Sequence, residues 1–332
     1  MTRFRTTIEL PEGEHNITHR SNILLAGSCF ASNIGAKLAE RKFNIGINPF
    51  GVLYNPLSIS AMFERIIDGR LFGTDSPELV EHGGKWHSIL HHGDFSRNTK
   101  EELLHVINNG IEENHNRIKE CDTVIITLGT AYAYTRKSDN TIVGNCHKLP
   151  ADTFTRRLLG IEEIVEATSR IIDKLRAINP DTRLIFTVSP IRHLRDGAHD
   201  NQKSKATLLL AIDRIMSLYP GNVLYFPAYE IVLDELRDYR FYADDMVHPS
   251  PVAVEYIWEC FGKCYFNKET IKLNEEIEAV VRATAHRPFD AESDGYRNFL
   301  RNLLGKMTAI EEKYPYLDFE NEKERCNTLL SK

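Results

Sequence analysis

The residues of this sequence whose types and spacing are best suited to nucleophilic chemistry are a cysteine and an aspartate–histidine pair. Cys29 follows Gly27 and Ser28 directly after a short apolar run, and Asp245 precedes His248 by three residues. A thiol at a strand-to-helix turn lies against a helix N-terminus, whose partial positive charge favours the thiolate. An aspartate that orients an imidazole can make it a general base for such a nucleophile. The pattern suggests nucleophilic catalysis by Cys29, with Ser28 as the alternative nucleophile and a purely structural thiol as the alternative to catalysis.

A cationic segment follows a later apolar run. Its basic and polar members are Arg192, His193, Arg195, His199, Asn201, Lys203 and Lys205. Basic side chains at the end of a strand can hold phosphate or carboxylate groups. The sequence leaves two interpretations open: an anchor for an anionic or polyhydroxylated substrate, with Arg192 and His193 as candidate contacts, or a solvated loop at the start of a helix.

Residues 81–94 are rich in histidine and raise the question of a metal site. His87 and His91 would share one face of a helix, but glycines at positions 83, 84 and 93 are typical of a loop. We therefore predict a polar loop that contacts substrate through His87, with a merely solvated loop as the alternative. No metal and no cofactor is expected.

The elements that must position these residues follow from hydrophobic patterning. Short apolar runs predict buried β-strands at residues 22–26, 122–128, 183–188 and 222–226. Helical periodicity predicts helices at residues 31–41, 161–179 and 203–218. Strands that are apolar on both faces and alternate with helices are typical of a parallel sheet covered on both sides. The sequence predicts an α/β fold, a three-layer sandwich around a central parallel sheet, in which ligands bind at the carboxyl ends of the strands.

After residue 251 the strand signal disappears. The pattern predicts helices at residues 252–266, 274–286 and 296–312, and a linker at residues 286–290 separates the last two. Both carry an apolar stripe, which in the last helix includes Phe299, Leu303 and Met307. Such stripes need a partner surface. We therefore divide the chain into an α/β domain, residues 1–269, and a helical appendage, residues 270–332, packed on the core or on a second subunit of a homodimer.

The composition and net charge of the sequence argue against several classes of function. The 332 residues carry a net charge of −6, so no overall basic field recruits nucleic acid or anionic lipid. The apolar runs are too short to span a bilayer, and residues 1–5 lack the apolar segment of a secretory signal. Six scattered cysteines without such a signal do not predict a disulfide framework. We expect a cytoplasmic protein with no nucleic-acid or membrane partner.

Several separated blocks of the sequence resemble one known family. Residues 27–31 spell GSCFA, the signature that names the GSCFA family, and residues 48–51, 54–56, 189–193 and 239–249 also look like that family. The family is grouped with the SGNH (GDSL-like) hydrolases. The resemblance therefore implies a flavodoxin-like, SGNH-hydrolase-like sheet and chemistry on acyl or acetyl esters.

The resemblance also implies roles for residues that match SGNH blocks. The first block puts Cys29 where the nucleophilic serine belongs, and the last block, Asp-x-x-His, is matched by Asp245 and His248. The third block, Gly-x-Asn-Asp, keeps Gly129 but has Ala131 where the asparagine of the oxyanion hole should be. Loss of one oxyanion donor typically costs about 10²–10³ in rate.

The sequence offers three groups that could serve as oxyanion donor in place of the missing asparagine. They are the side chain of Asn48, the side chain of Asn55, and the backbone N–H groups at Thr130. Residue types and spacing do not choose among them.

Two functions from different classes follow. The first is an SGNH-like esterase or acyl/acetyltransferase that uses Cys29, His248 and Asp245 on a small-molecule or carbohydrate acyl substrate, such as an acylated sugar or polysaccharide precursor. The second is a catalytically lapsed protein on the same scaffold that binds a glycan or nucleotide-sugar. The intact Asp-x-x-His pair favours the first function, and Ala131 favours the second.

Overall fold

A five-stranded parallel sheet is the centre of the fold in the computed structural model, which describes residues 5–11, 17–286, 288–290 and 292–331. The strands are β1 (Asn22–Gly27), β2 (Asn44–Ile47), β3 (Leu79–His82), β4 (Lys85–Ser88), β5 (Thr123–Leu128), β6 (Tyr132–Arg136), β7 (Ile142–Val143), β8 (Phe154–Leu158), β9 (Arg183–Val188) and β10 (Val223–Tyr225). The helices are α1 (Cys29–Glu40), α2 (Pro56–Ile67), α3 (Lys100–Lys119), α4 (Ile161–Ile178), α5 (Ala198–Leu218), α6 (Ala228–Glu230), α7 (Pro251–Tyr265), α8 (Lys268–Ala285), α9 (Asp294–Lys313) and α10 (Glu320–Leu330).

The central strands lie side by side in the order β2, β1, β5, β9, β10, and each neighbouring pair is parallel. Counted along the chain, this is the order 2-1-3-4-5 of a doubly wound sheet, with the reversal of strand order between β1 and β5. The α/β fold with a central parallel sheet and C-terminal helices is therefore confirmed. The carboxyl ends of β1 and β5 flank the reversal, which is where ligands bind in such sheets.

Helices cover both faces of this sheet because its strands are apolar on both sides. Leu24 and Ala26 of β1 belong to a core shared with helices α2 to α5. Ile23 and Leu25, which point to the opposite face, pack with α1 and α7. The alternation along β1 thus fixes three layers.

Two small antiparallel sheets were not predicted. Strands β3 and β4 form a hairpin, and β6 pairs with both β7 and β8. The prediction of a loop across residues 81–94 is wrong for β4. Gly83 and Gly84 make the two-residue turn of the hairpin, with φ of +60° and +73°. Both central positions of such a turn require positive φ, which glycine adopts without strain.

The last three helices have an apolar cluster of their own. Leu303 and Met307 of α9 are buried in it against α8 and α10, whereas Phe299 stays partly exposed. Ion pairs join this helical unit to the core, between Arg41 and Glu278 at 2.8 Å and between Lys42 and Glu322 at 2.7 Å. The division of the chain between residues 269 and 270 stays a prediction.

Within the described ranges, no helix has the length and the apolar character needed to cross a membrane. Of the N-terminal segment that bore on a secretory signal, residues 1–4 lie outside the described residues, as does Arg287 of the predicted linker.

Candidate active site

Cys29 is the first residue of α1, directly beyond the carboxyl end of β1. Ser28 before it is the N-cap of the helix: its Oγ accepts a hydrogen bond from the backbone N–H of Phe30 at 3.3 Å, and the residue is 2% exposed. Gly27 has a φ of +132°, and a Cβ there would lie 2.1 Å from the carbonyl oxygen of Thr127. The close approach of β1 to β5 therefore requires glycine and turns the chain so that Cys29 begins the helix.

The Cys29 thiol contacts a tyrosine that sequence reasoning did not single out. Its Sγ lies 3.7 Å from the hydroxyl of Tyr54, close enough for a hydrogen bond to sulfur. Burial, and after it the neighbouring Cys29, raises the pKa of Tyr54, so the phenol keeps its proton. The protonated Tyr54 hydroxyl thus lies beside the thiol and has a proton to donate.

Asp245 and His248 form the pair that their spacing predicts. Asp245 Oδ2 lies 2.5 Å from His248 Nδ1, and Asp245 Oδ1 accepts the backbone N–H groups of Val247 and His248 at 2.9 Å each. The backbone bond from His248, followed by its side-chain bond, lowers the pKa of Asp245 to about 2. The carboxylate is ionised at neutral pH and holds Nδ1 as the protonated ring nitrogen, which leaves Nε2 for a substrate.

Cys29 and His248 open into one cleft of about 770 Å³. The sheet edge contributes Ser28, Cys29, Tyr54, Asn55, Thr130, Ser189, Ile191, Arg192 and His193 to its lining. The β6–β8 sheet and its loops contribute Tyr132, Tyr134, Asn145, Cys146, Lys148, Phe154 and Arg156. Among the described residues, the hydrogen bond of the Cys29 thiol goes to Tyr54 and not to His248.

The predicted oxyanion donors at the end of β5 have other partners. The backbone N–H groups of Gly129 and Thr130 donate to the carbonyl oxygen of Tyr54 at 2.8 Å and 3.0 Å. The N–H of Ala131 donates to Ser204 Oγ at 2.7 Å, and the Ala131 side chain lies in the core. Of the three alternatives for the missing asparagine, the amide of Thr130 therefore has another partner in the structure, because it and the amide of Gly129 fasten the Tyr54 loop to the sheet.

The two candidate asparagines also hold the fold in place. Asn48 accepts the N–H of Gly27 at 2.9 Å and donates to Ser32 at 2.9 Å, and it does not line the cleft. Asn55 lines the cleft, but its side chain caps α2 by accepting the N–H of Ser58 at 2.9 Å and donating to Ser58 Oγ. The structure therefore ties both side chains to local backbone geometry.

His87 does not reach the cleft. It lies in β4, where Nδ1 is 2.6 Å from Ser96 Oγ and Nε2 is 3.0 Å from the carbonyl oxygen of His82. Its ring stacks on His147 at 4.5 Å. The predicted substrate contact at His87 is corrected accordingly. Within the described part of the chain, no group of three or more His, Cys, Asp or Glu side chains could hold a metal ion.

The residues of the cationic segment 192–205 lie in different parts of the structure. Arg192, His193 and Arg195 line the cleft. Burial lowers the pKa of His193 to about 4, and the charges of Lys205 and Arg156 add to the effect, so His193 is neutral at pH 7.

Lys205, from the same segment, lies beneath the cleft. It is 1% exposed, and its Nζ donates to the carbonyl oxygens of Gly129 and Ser189 at 2.6 Å each. Burial lowers the pKa of Lys205 to about 7, whereas the two carbonyls favour its protonated form. Lys205 therefore joins the carboxyl ends of β5 and β9.

Several cleft residues come from elements that the sequence did not reveal. Tyr132 and Tyr134 alternate along β6, and Arg156 of β8 lies over the Tyr132 ring at 3.9 Å from its centre. Arg156 also pairs with Asp196. Alternation of tyrosines with small or polar residues was the available signal for this strand.

The fold and the cleft define a class: α/β proteins with a doubly wound parallel sheet and a polar cleft at its carboxyl edge. Within that class the chain belongs to the GSCFA family, whose model matches residues 22–261. A second model, described as the C-terminal domain of GSCFA domain proteins, matches residues 277–332. A search of curated proteins finds no match.

Two solved structures are similar to the chain at a remote level. One is a family 3 carbohydrate esterase of Clostridium thermocellum, with 13% identity, a TM-score of 0.32, and coverage of 77% of this chain and 98% of that one. The other is the acetyl xylan esterase Est2A of the rumen bacterium Butyrivibrio proteoclasticus, with 11% identity, a TM-score of 0.35, and coverage of 77% and 67%. At these values neither structure indicates an activity for this chain.

Proposed function

We propose that the protein is an SGNH-like esterase or acyl/acetyltransferase with Cys29 as nucleophile. The observation that carries this proposal is that Cys29 and His248, far apart in the sequence, open into one cleft at the reversal of strand order, and that Asp245 holds His248. A nucleophile, a general base and a group that orients the base are the parts that acyl transfer needs. The substrate class is a small molecule or carbohydrate that carries an acyl ester.

In the first step, the thiol of Cys29 attacks the acyl carbonyl carbon. Nε2 of His248 takes the thiol proton, directly or through one water molecule. The ester C–O bond then breaks, the departing oxygen takes the proton from His248, and the acyl group remains on Cys29 as a thioester. Asp245 stabilises the imidazolium that forms between these events.

In the second step, water or an acceptor hydroxyl attacks the thioester. His248 removes the proton of the attacking oxygen, and the Cys29 thiol is released with that proton. Hydrolysis and transfer differ only in the acceptor, so the same residues serve both reactions.

Tyr54 takes the place of the missing oxyanion asparagine. Its hydroxyl lies 3.7 Å from Cys29 Sγ, so it lies near the oxygen of an acyl group attached to that sulfur. Its raised pKa keeps it a hydrogen-bond donor, which is what a developing oxyanion requires.

Cys29 is preferred to Ser28 as the nucleophile because their side chains have different tasks. Ser28 Oγ accepts the Phe30 N–H as a helix cap in a buried position, whereas Cys29 is partly exposed to the cleft. Attack by Ser28 would remove the cap from α1.

A trapped acyl-enzyme tests the proposal. The protein is incubated with p-nitrophenyl acetate or an acetylated sugar, quenched in acid, digested and mapped by mass spectrometry. We expect one acetyl group on Cys29, released on longer incubation, and no acetyl at this position in His248→Ala. Acetylation of Ser28, or the absence of both turnover and adduct, would overturn the assignment.

The second candidate, a catalytically lapsed glycan- or nucleotide-sugar-binding protein, has an observation in its favour. The amides of Gly129 and Thr130 are engaged by Tyr54, and position 131 faces the core, so the usual oxyanion donors are not directed at the cleft. Ligand binding in the cleft without any acyl-enzyme would support this alternative.

A further inference from the structure

We propose that the cleft binds its substrate through a phosphate or carboxylate group, held by Lys148, Arg192 and Arg195. We call these three residues the anion subsite. The inference rests on the proposed function in taking the cleft as the substrate site, and it narrows the substrate to an anionic acyl ester.

The charges that line the cleft are unbalanced. Lys148, Arg156, Arg192 and Arg195 are basic, and Asp196 is the acidic residue among the lining residues that the structure describes. Asp196 pairs with Arg156. In the described part of the chain, the remaining three cations have no carboxylate within ion-pair distance, so they are available to a ligand.

This imbalance contrasts with the rest of the molecule. The chain carries a net charge of −6, and its buried arginines are neutralised: Arg41 pairs with Glu278 at 2.8 Å and Arg65 with Glu78 at 3.0 Å. A concentration of unpaired cations in one cleft of an acidic protein raises the local concentration of anions and steers them inward.

The hydrogen-bonding character of the cleft favours an anion over a neutral sugar. Arginine and lysine side chains are donors only. The carboxylate of Asp196 is already paired with Arg156. Neutral acceptors such as Asn145 also line the cleft, but three cationic donors without a carboxylate partner favour a ligand with charged acceptor oxygens, as phosphate and carboxylate have.

The fold brings the subsite together from two sides of the cleft. Arg192 and Arg195 follow β9, whereas Lys148 lies in the loop between β7 and β8. The Arg192 guanidinium lies 5.7 Å from the centre of the Tyr242 ring. A cation–π contact of this kind uses none of the N–H donors of the guanidinium, which stay available to an anion. Neutral His193 adds no charge to this set.

Calorimetric titration with three matched probes tests the subsite: glucose 1-phosphate, glucuronate and glucose. We expect one or both anionic probes to bind, glucose to bind at least about tenfold more weakly, and high salt to weaken anion binding. The two anionic probes separate a phosphate ligand from a carboxylate ligand. Protection of Cys29 from iodoacetamide by the anion that binds places it in this cleft.

Variants assign the binding to the named residues. Arg192→Gln and Arg195→Gln should each weaken binding of the anion by about tenfold or more, and Arg192→Lys should lose less. Arg214→Gln is the matched control, since Arg214 is an exposed arginine of α5 that does not line the cleft. Equal binding of glucose and the anions, or unchanged affinity in both glutamine variants, would contradict the subsite.

The binding measurement does not depend on acyl chemistry. Anion binding that the glutamine variants weaken, in a protein that forms no acyl-enzyme, would support the subsite and overturn the esterase. Turnover of a neutral acetylated sugar without any anion binding would overturn the subsite and support the esterase.

Discussion

The cleft at the carboxyl edge of the sheet and a groove between α8 and α9 are both open to solvent, but different side chains line them. The groove has a volume of about 420 Å³ and is lined by Glu276, Ala279, Val280, Ala283, Phe299, Asn302, Leu303, Lys306, Ala309 and Ile310. The cleft, at about 770 Å³, is lined by two thiols, three tyrosines, two histidines and several cations, and Asp245 holds one of the histidines, His248. Convergent polar groups at strand ends, and not the presence of a cavity, distinguish a site from a packing gap between helices.

The largest effect is expected from removing the thiol. Cys29→Ala should lower the turnover of any acyl substrate by about 10³-fold or more, because the acyl group then has no attachment point. Ala279→Leu, which adds bulk at an exposed position of the groove, should leave turnover unchanged. Steady-state kinetics on both variants makes the comparison. Equal losses in the two would mean that the cleft has no special role.

A smaller loss is expected from Tyr54→Phe, which removes one hydroxyl and keeps the ring. The value of kcat should fall by about 10²–10³-fold, the range found for a single oxyanion donor, while KM changes little. A rise in KM at constant kcat would instead assign Tyr54 to substrate binding.

The next effect concerns the stability of the fold, to which Lys205 contributes beneath the cleft. Lys205→Met leaves the carbonyl oxygens of Gly129 and Ser189 without their donor, and we expect a loss of about 1–3 kcal/mol in the free energy of unfolding.

The pKa of Lys205 falls from 10.5 to about 7 on folding, so between these pH values the unfolded chain binds more protons than the folded chain. The contribution of Lys205 to stability therefore rises as the pH rises through this window. Urea titrations should show a larger loss in the variant at pH 9 than at pH 6, and the reverse order would contradict the buried lysine.

The smallest effect is expected next to the nucleophile. Ser28→Ala removes the N-cap of α1 and should cost about 1 kcal/mol of stability. A measurable rate of turnover should remain, since Cys29 is intact. Thermal unfolding and kinetics on the same preparation separate the two consequences, and a complete loss of turnover in a folded variant would move the nucleophile to Ser28.

The sequence was sufficient for the parts of the fold that depend on local pattern. The four predicted strands are present as β1, β5, β9 and β10. The apolar runs of β1, β5 and β9 are buried on both faces, whereas β10 is a three-residue edge strand with Val223 buried. Strand β2 was missed because it is short and partly exposed at the sheet edge. Strands β6 to β8 were missed because polar and charged residues interrupt their apolar pattern.

At the candidate site, the sequence predicted the Asp245–His248 pair but not the contact of Cys29 with Tyr54. The resemblance to SGNH blocks located Cys29, Asp245 and His248, whereas the use of the Thr130 amide depends on where the carbonyl of Tyr54 falls. The charge state of His193 likewise depends on burial, which a list of basic residues does not show. Tertiary hydrogen bonds and desolvation depend on the whole fold, so the local spacing of residues does not predict them.

The reactivity of the Cys29 thiol tests the central claim most directly, and Cys146 provides an internal control because it lines the same cleft. Burial raises the pKa of Cys146, with the charge of Arg195 acting against the rise. Cys29 begins α1 and its Sγ contacts the Tyr54 hydroxyl at 3.7 Å, whereas Cys146 lies in the loop between β7 and β8. Iodoacetamide labelling from about pH 6 to about pH 9, followed by peptide mapping, should show Cys29 reacting at least about tenfold faster than Cys146 at the acidic end, and Tyr54→Phe should reduce that advantage. Equal rates for the two cysteines at every pH, or the same advantage in Tyr54→Phe, would contradict an activated Cys29.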